Sequence, residues 1–193
     1  MQTRRLPLYA CLVVGLLSTA AALSVQPRRQ PDVPYVPSTE EAVKIMLKLA
    51  DVKASDVVYD LGCGDGRIVV AAAKLHGARG VGIDINPERI AEARENARKA
   101  GVENLVRFEE NDLFEANIKD ATVVTLFLLP NINIRLMPKL LKDLKPGTRI
   151  VSNTFDMGDW KPEKEATAEN SEDEDSYLSH KFFLWTVPEK KEK

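Results

Sequence analysis

Residues 57 to 77 set the tightest limit on what this chain can fold into. Val57-Val58-Tyr59 is a short β-branched and aromatic run of the kind buried in a sheet. It passes into the loop Asp60-Leu61-Gly62-Cys63-Gly64-Asp65-Gly66. The loop leads directly into a small-residue apolar helix, Ile68 to Leu75, which His76-Gly77 closes as a glycine C-cap would. A strand joined to a helix through a glycine-rich turn is the opening unit of an open α/β sheet. Ligands of such sheets bind beyond the carboxyl ends of the strands, where the strand order reverses.

The rest of the chain repeats that unit. Ser38-Thr39-Glu40-Glu41 has the capping-box pattern, with Ser38 as cap and Glu41 three residues on. Val43, Met46, Leu47 and Ala50 then share a helical face. Gly80 to Ile83 reads as a second strand ending at Asp84, and Asn86-Pro87 starts a helix that runs to Gly101. Leu105 to Phe108, Thr122 to Leu128 and Arg149 to Ser152 read as further strands. Ile132 to Leu144 reads as a helix that Pro138 kinks or begins. Alternating strands and helices from residue 38 to 153 imply a parallel sheet covered on both faces. Glu163 to Asp175 is an acidic loop flanking a short strand near Glu165–Ala168, and Phe182 to Val187 is a late strand.

The loop limits its ligand as well as its conformation. Glycines let a ligand approach the backbone closely, and the helix beyond offers free N–H groups. The spacing is G-x-G-x-G, whereas the dinucleotide fingerprint is G-x-G-x-x-G. Asp65 inside the loop would repel a pyrophosphate and suits a cationic ligand. Asp84, ending the second strand, can accept hydrogen bonds from both hydroxyls of a ribose.

Val57 to Gly66 resembles motif I of the class I methyltransferases, which use S-adenosylmethionine. The resemblance runs from about residue 35 to 187 and takes in Asp84, Asn111-Asp112-Leu113 and Leu144-Lys145-Pro146-Gly147. It implies a Rossmann-like, doubly wound, mostly parallel seven-stranded sheet over residues 38–188. It also implies that Asp60 and the backbone of Gly62, Cys63, Gly64, Asp65 and Gly66 hold the methionine end of the donor. Asp84, beside Ile85, would hold the ribose. Asp112 would reach the adenine amino group, with Leu113 against the ring. More narrowly, Tyr35-Val36-Pro37-Ser38 together with Asp65-Gly66-Arg67-Ile68-Val69 is similar to the protein-lysine methyltransferases that modify ATP synthase subunit c and the adenine nucleotide translocase. That likeness implies that Tyr35 and Ser38 help close the donor pocket and that the acceptor is a protein lysine, a membrane protein's among the candidates. Methylation of a small molecule or lipid, and a non-catalytic cofactor-binding protein, stay open as alternatives.

The fourth strand ends Leu128-Leu129-Pro130-Asn131, without the Asn/Asp-Pro-Pro-aromatic motif of many nucleic-acid amino-methylating enzymes. Pro130 and Asn131 stand where a methyl acceptor would be met. Glu109, Glu110 and Asp156 are further candidates to flank it, and Trp160 reads as a packed surface aromatic or a substrate-site wall. His76 and His180 read as structural. A sulfonium methyl is already activated, so the reaction needs proximity and in-line orientation more than a catalytic base. Two scattered cysteines and two histidines give no zinc-type spacing. A net charge of −2 lacks the strong positive field of a general nucleic-acid binder, so no nucleic-acid partner is expected, and the chain reads as a monomer.

The N-terminus raises a separate question. Arg4 and Arg5 precede the apolar run Leu6 to Leu23, which ends in small residues. Residues 1–24 therefore read as a signal peptide or a membrane anchor, residues 25–37 as a proline-rich linker and residues 189–193 as a charged tail. The expectation is an exported or membrane-associated protein. The donor is made in the cytosol, while Arg4 and Arg5 favour an outside domain and Arg28 and Arg29 offset them, so the side of the membrane stays open.

Overall fold

A computed structural model of the protein describes residues 33–168 and 181–189. The apolar segment 1–24, the linker up to residue 32, residues 169–180 with most of the acidic run and His180, and the tail beyond residue 189 lie outside the described residues. In chain order the elements are α1 (Glu40–Leu49), β1 (Val57–Leu61), α2 (Arg67–His76), β2 (Arg79–Asp84), α3 (Pro87–Ala100), β3 (Val106–Glu110), β4 (Val123–Leu126), α4 (Pro130–Asp143), β5 (Arg149–Asn153), β6 (Lys164–Thr167) and β7 (Lys181–Thr186).

The strands form one seven-stranded sheet in the order β3-β2-β1-β4-β5-β7-β6. The first five strands in that order are mutually parallel, β7 runs antiparallel to β5, and β6 runs antiparallel to β7. The doubly wound, mostly parallel architecture expected from the sequence is the one found. From β1 the chain builds outward to β2 and β3 on one side, then returns to place β4 on the other. The reversal therefore lies between β1 and β4.

Strand alternation sorts the side chains onto two faces. Val58, Val123, Val151 and Leu184 point to the face covered by α1, α2 and α3, which contribute Met46, Leu47, Val69, Ala72, Ala93 and Ala97. Tyr59, Val124, Ile150 and Trp185 point to the other face, packed by Ile132, Leu136 and Leu140 of α4 and by Ala116, Ile118 and Ala121. β2 carries Gly80 and Gly82 on the three-helix face. A Cβ at Gly82 would lie 2.6 Å from Phe108 and 2.8 Å from the Cys63 sulfur, so close packing there requires glycine.

Most expected helix ends are found: Asn86 caps α3 by accepting from the Glu88 N–H, and Gly77 and Gly101 end α2 and α3 with left-handed φ of 68° and 69°. Other boundaries shift by a residue or two, and three of the differences have a clear physical reason. Thr39, not Ser38, caps α1, accepting from the Ala42 N–H at 3.1 Å, because the Ser38 hydroxyl is turned inward. α4 begins at Pro130 rather than Ile132, since proline suits a first turn whose N–H groups need no partner; Pro138 lies inside the helix. β4 stops at Leu126, and Phe127 and Leu128 leave the ladder to wall a cavity. The chain also has a polar staple at the amino end of β1. There the buried Asp56 accepts from Arg149, from the Thr122 hydroxyl and from the Lys53 N–H, while Arg149 also donates to the carbonyls of Ala50 and Asp51.

Candidate functional site

The carboxyl ends of β1, β2 and β4 surround a cavity of about 550 Å³. It sits at the reversal of strand order, where open α/β sheets take their ligands, and its size suits a small-molecule ligand. Its floor is the glycine loop. Gly62, Gly64 and Gly66 all adopt left-handed φ, of 83°, 51° and 77°, which folds the loop back so that the N–H groups of Gly62 and Cys63 reach the Ile83 carbonyl.

Asp60 is the last-but-one residue of β1 and is 3% exposed. Its Oδ1 accepts from the Thr125 hydroxyl at 2.7 Å, and no other donor among the described residues reaches the carboxylate. Burial, reinforced by the charges of Asp84 and Asp65, outweighs the Thr125 hydrogen bond and pushes the Asp60 carboxyl up to about 7. A buried acid with one neutral donor and no cation, opening on a cavity, is fitted to a ligand that brings a positive charge.

Asp84 works differently. Its Oδ2 accepts from the Gly64 N–H and its Oδ1 from the Asn86 N–H, both at 2.9 Å. The carboxylate thereby ties the glycine loop to the start of α3, and each oxygen keeps a second lone pair for a ligand hydroxyl. Ile85 lines the cavity next to it, and Asn111, Asp112 and Leu113 line the stretch beyond β3. Asp112 Oδ1 accepts from the Phe114 N–H at 2.9 Å, which fixes the turn that carries Leu113.

Asp65 does not stand free. Arg67 grips its carboxylate through Nε at 2.9 Å and Nη2 at 2.6 Å. Burial opposes the Asp65 charge, but the hydrogen bonds and charge of Arg67 prevail and hold its carboxyl below the usual range. The sequence argument for Asp65 as the acid facing a cationic ligand therefore passes to Asp60, whose carboxylate meets no cation among the described residues. Cys63 lines the cavity as an inert wall, because burial pushes its thiol up.

The stretch from Val33 to Ser38 crosses the cavity as a strap. Tyr35 lies over Gly64, where a Cβ would come within 2.4 Å of its ring, and the Arg89 guanidinium stacks 4.7 Å from the ring centroid. Ser38 is buried and its hydroxyl accepts from Asn153 Nδ2 at 3.3 Å.

Eleven of the residues singled out in the sequence line this one cavity: Tyr35 and Ser38 from the strap, Asp60, Gly62, Cys63, Gly64 and Asp65 from the loop, and Asp84, Ile85, Asp112 and Leu113 beyond it. Gly66 is buried behind the wall, against Phe108 and Ala93, and acts as the left-handed cap of α2. Pro130 and Asn131 are exposed at the start of α4, outside the lining, while Leu128 and Ile132 on either side of them are in it. Glu109 pairs with Arg107, Asp156 is exposed, and Trp160 packs on Trp185 at 6.1 Å between ring centroids; none of the three lines the cavity, and nor does Glu110. His76 ends α2, away from the cavity. Sequence reasoning missed Arg67, Arg89, Thr125 and Phe127. Only Arg67 carried a local signal, as the charged residue that ends the glycine loop.

Comparison with known proteins agrees with the site's geometry. Residues 60–164 match the model of the ANTKMT methyltransferase domain. A protein-lysine N-methyltransferase of Saccharolobus islandicus is 47% identical over 162 residues, which are 83% of this chain and 98% of the relative. The adenine nucleotide translocase lysine N-methyltransferase of Mus musculus is 36% identical over 75% of this chain and 65% of its own length. Among solved structures, an RNA methyltransferase of Salinibacter ruber in complex with S-adenosyl-L-homocysteine superposes with a TM-score of 0.75 at 50% identity, covering 82% of this chain and 97% of that one.

Proposed function

Since the chain belongs to the ANTKMT methyltransferase family and is an S-adenosylmethionine-dependent class I methyltransferase, we propose that it methylates the side-chain amine of a protein lysine. The observation that carries this acceptor is the 47% identity along nearly the whole of a protein-lysine N-methyltransferase. The donor, when bound, supplies an electrophilic sulfonium methyl that needs no further activation.

The residues divide the remaining work. Asp60 takes the donor's cationic end, Asp84 its ribose, and Asp112 with Leu113 its base. The glycine backbone lets the ligand lie close, and Tyr35 and Ser38 cover it. At the β4 side the cavity is walled by Phe127, Leu128 and Ile132. That apolar wall suits the methylene stem of a lysine and takes water from its amine, which favours the neutral, nucleophilic form. Pro130 and Asn131 form the rim the acceptor passes, a placement supported by their position between Leu128 and Ile132. Residues 1–24, by their basic start and apolar run, hold or deliver the protein to a membrane. A membrane protein is the acceptor such a location favours. Among the described residues no helix is long and apolar enough to cross one.

The test is transfer of tritiated methyl from the donor into cell fractions by the purified full chain, followed by hydrolysis. Methyllysine in protein is the expected product. The Salinibacter ruber relative is named for RNA, so label that enters RNA and spares protein would overturn the lysine reading, as would label confined to lipid.

A further inference from the structure

The strap is held at separate points: Val33 packs on the core and Arg89 stacks on the Tyr35 ring. Tyr35 and Val36 are 46% and 45% exposed, so the segment over the cavity is a thin cover. Its far end, at Ser38, is fastened by polar contacts. Arg67, the first residue of α2, places its Nη1 on the Ser38 carbonyl at 2.6 Å, while its Nε and Nη2 hold both oxygens of Asp65 in the glycine loop. One guanidinium thus joins the strap to the glycine loop. Asn153, at the end of β5, adds a second tether through the Ser38 hydroxyl. The planar fork of arginine is required for this span, since a lysine ammonium is a single point of attachment.

We propose that Arg67 is a positioning residue for the methyl donor, a latch that joins strap and glycine loop so that the bound nucleoside leaves only when the strap lifts. This rests on the cavity being the donor site. Arg67 acts through Asp65 and Ser38, and its chief effect is on how long the ligand stays. Entry passes the same strap, so association also quickens when the fork is lost. Dissociation requires release of the Ser38 carbonyl and rises when the fork is lost.

The experiment measures S-adenosylhomocysteine association and dissociation by stopped flow for the full chain and for Arg67→Gln and Arg67→Lys, with hydrogen exchange of the strap amides in the presence and absence of the ligand. The expected result is dissociation about tenfold faster in Arg67→Gln, with association faster as well so that Kd moves less than either rate, and protection of the Tyr35, Val36 and Ser38 amides lost. Arg67→Lys keeps the charge pair and gives an intermediate rate, which keeps the comparison available should Arg67→Gln fold poorly. Dissociation and strap protection equal to wild type in the folded variants would overturn the latch and leave the donor site standing. No binding of the ligand by the wild-type chain would overturn the donor site, and the latch with it.

Discussion

Asp60 makes donor binding depend on pH in a way that can be worked out beforehand. Its carboxyl is pushed up to about 7 by burial, from an ordinary value of 3.8. If only the ionised form accepts the ligand's ammonium group, the apparent Kd is the intrinsic Kd divided by the ionised fraction, so it weakens about tenfold for each pH unit below 7 and is flat above it. Binding near pH 6 then expels close to one proton. Calorimetric titration with S-adenosylhomocysteine from about pH 5.5 to about pH 8.5, in buffers of differing ionisation enthalpy, reads both quantities. Circular dichroism at each pH confirms that the chain is folded. Asp60→Asn should bind more weakly with no such slope. A wild-type Kd that stays level through this range, or binding that releases no proton at acid pH, would refute the reasoning. The same shift has a consequence for the free protein. Between 3.8 and about 7 the folded state holds a proton that the unfolded state has lost, so the Asp60 contribution to stability falls as pH rises, by on the order of 4 kcal/mol across that window. Ligand binding should offset much of that loss, giving a larger ligand-induced rise in Tm at pH 8 than at pH 5.

Thr125→Val removes the hydroxyl whose hydrogen bond favours the Asp60 carboxylate, so the midpoint of the binding profile should move to higher pH; an unmoved midpoint counts against the Thr125–Asp60 pair. Arg149→Met leaves the buried Asp56 without its cation and should cost about 3 kcal/mol in denaturant unfolding, with the Kd for S-adenosylhomocysteine unchanged because the staple is remote from the cavity. Gly82→Ala drives a methyl group into Phe108 and Cys63 and should destabilise by about 1–3 kcal/mol, read as a lowered Tm. Asn131→Ala should leave donor affinity intact and lower kcat/KM for the acceptor alone, which steady-state kinetics against both substrates would separate.

The residues differ in how much they announced of this in advance. The β1–loop–α2 unit was legible because each part is local: a β-branched run, glycines that must take positive φ, and a glycine-closed helix. Asp84 was legible for the same reason, as the residue that ends a strand. What stayed hidden depends on contacts distant along the chain. Thr125 meets Asp60 only because β4 docks beside β1, in a register that pairs the two residues. Ser38 has the pattern of a cap, yet the hydroxyl it would use turns to Asn153, 115 residues away, and Thr39 takes the cap instead. Asp65 lines the cavity, and the Arg67 pairing that holds its carboxylate was hidden because Arg67, two residues away, folds back only through the left-handed turn at Gly66.

β1 carries a buried aspartate at each end, Asp56 before it and Asp60 within it, and the two are treated in opposite ways. Asp56 receives a guanidinium, a hydroxyl and an amide, and becomes a rivet that the folded chain completes by itself. Among the described residues Asp60 receives a single hydroxyl, which leaves it electrically unfinished. A variant library selected for thermal tolerance should therefore enrich substitutions that neutralise Asp60 and disfavour those at Asp56. A local frustration of the fold and the proposed hold on the methyl donor reside in the same carboxyl group.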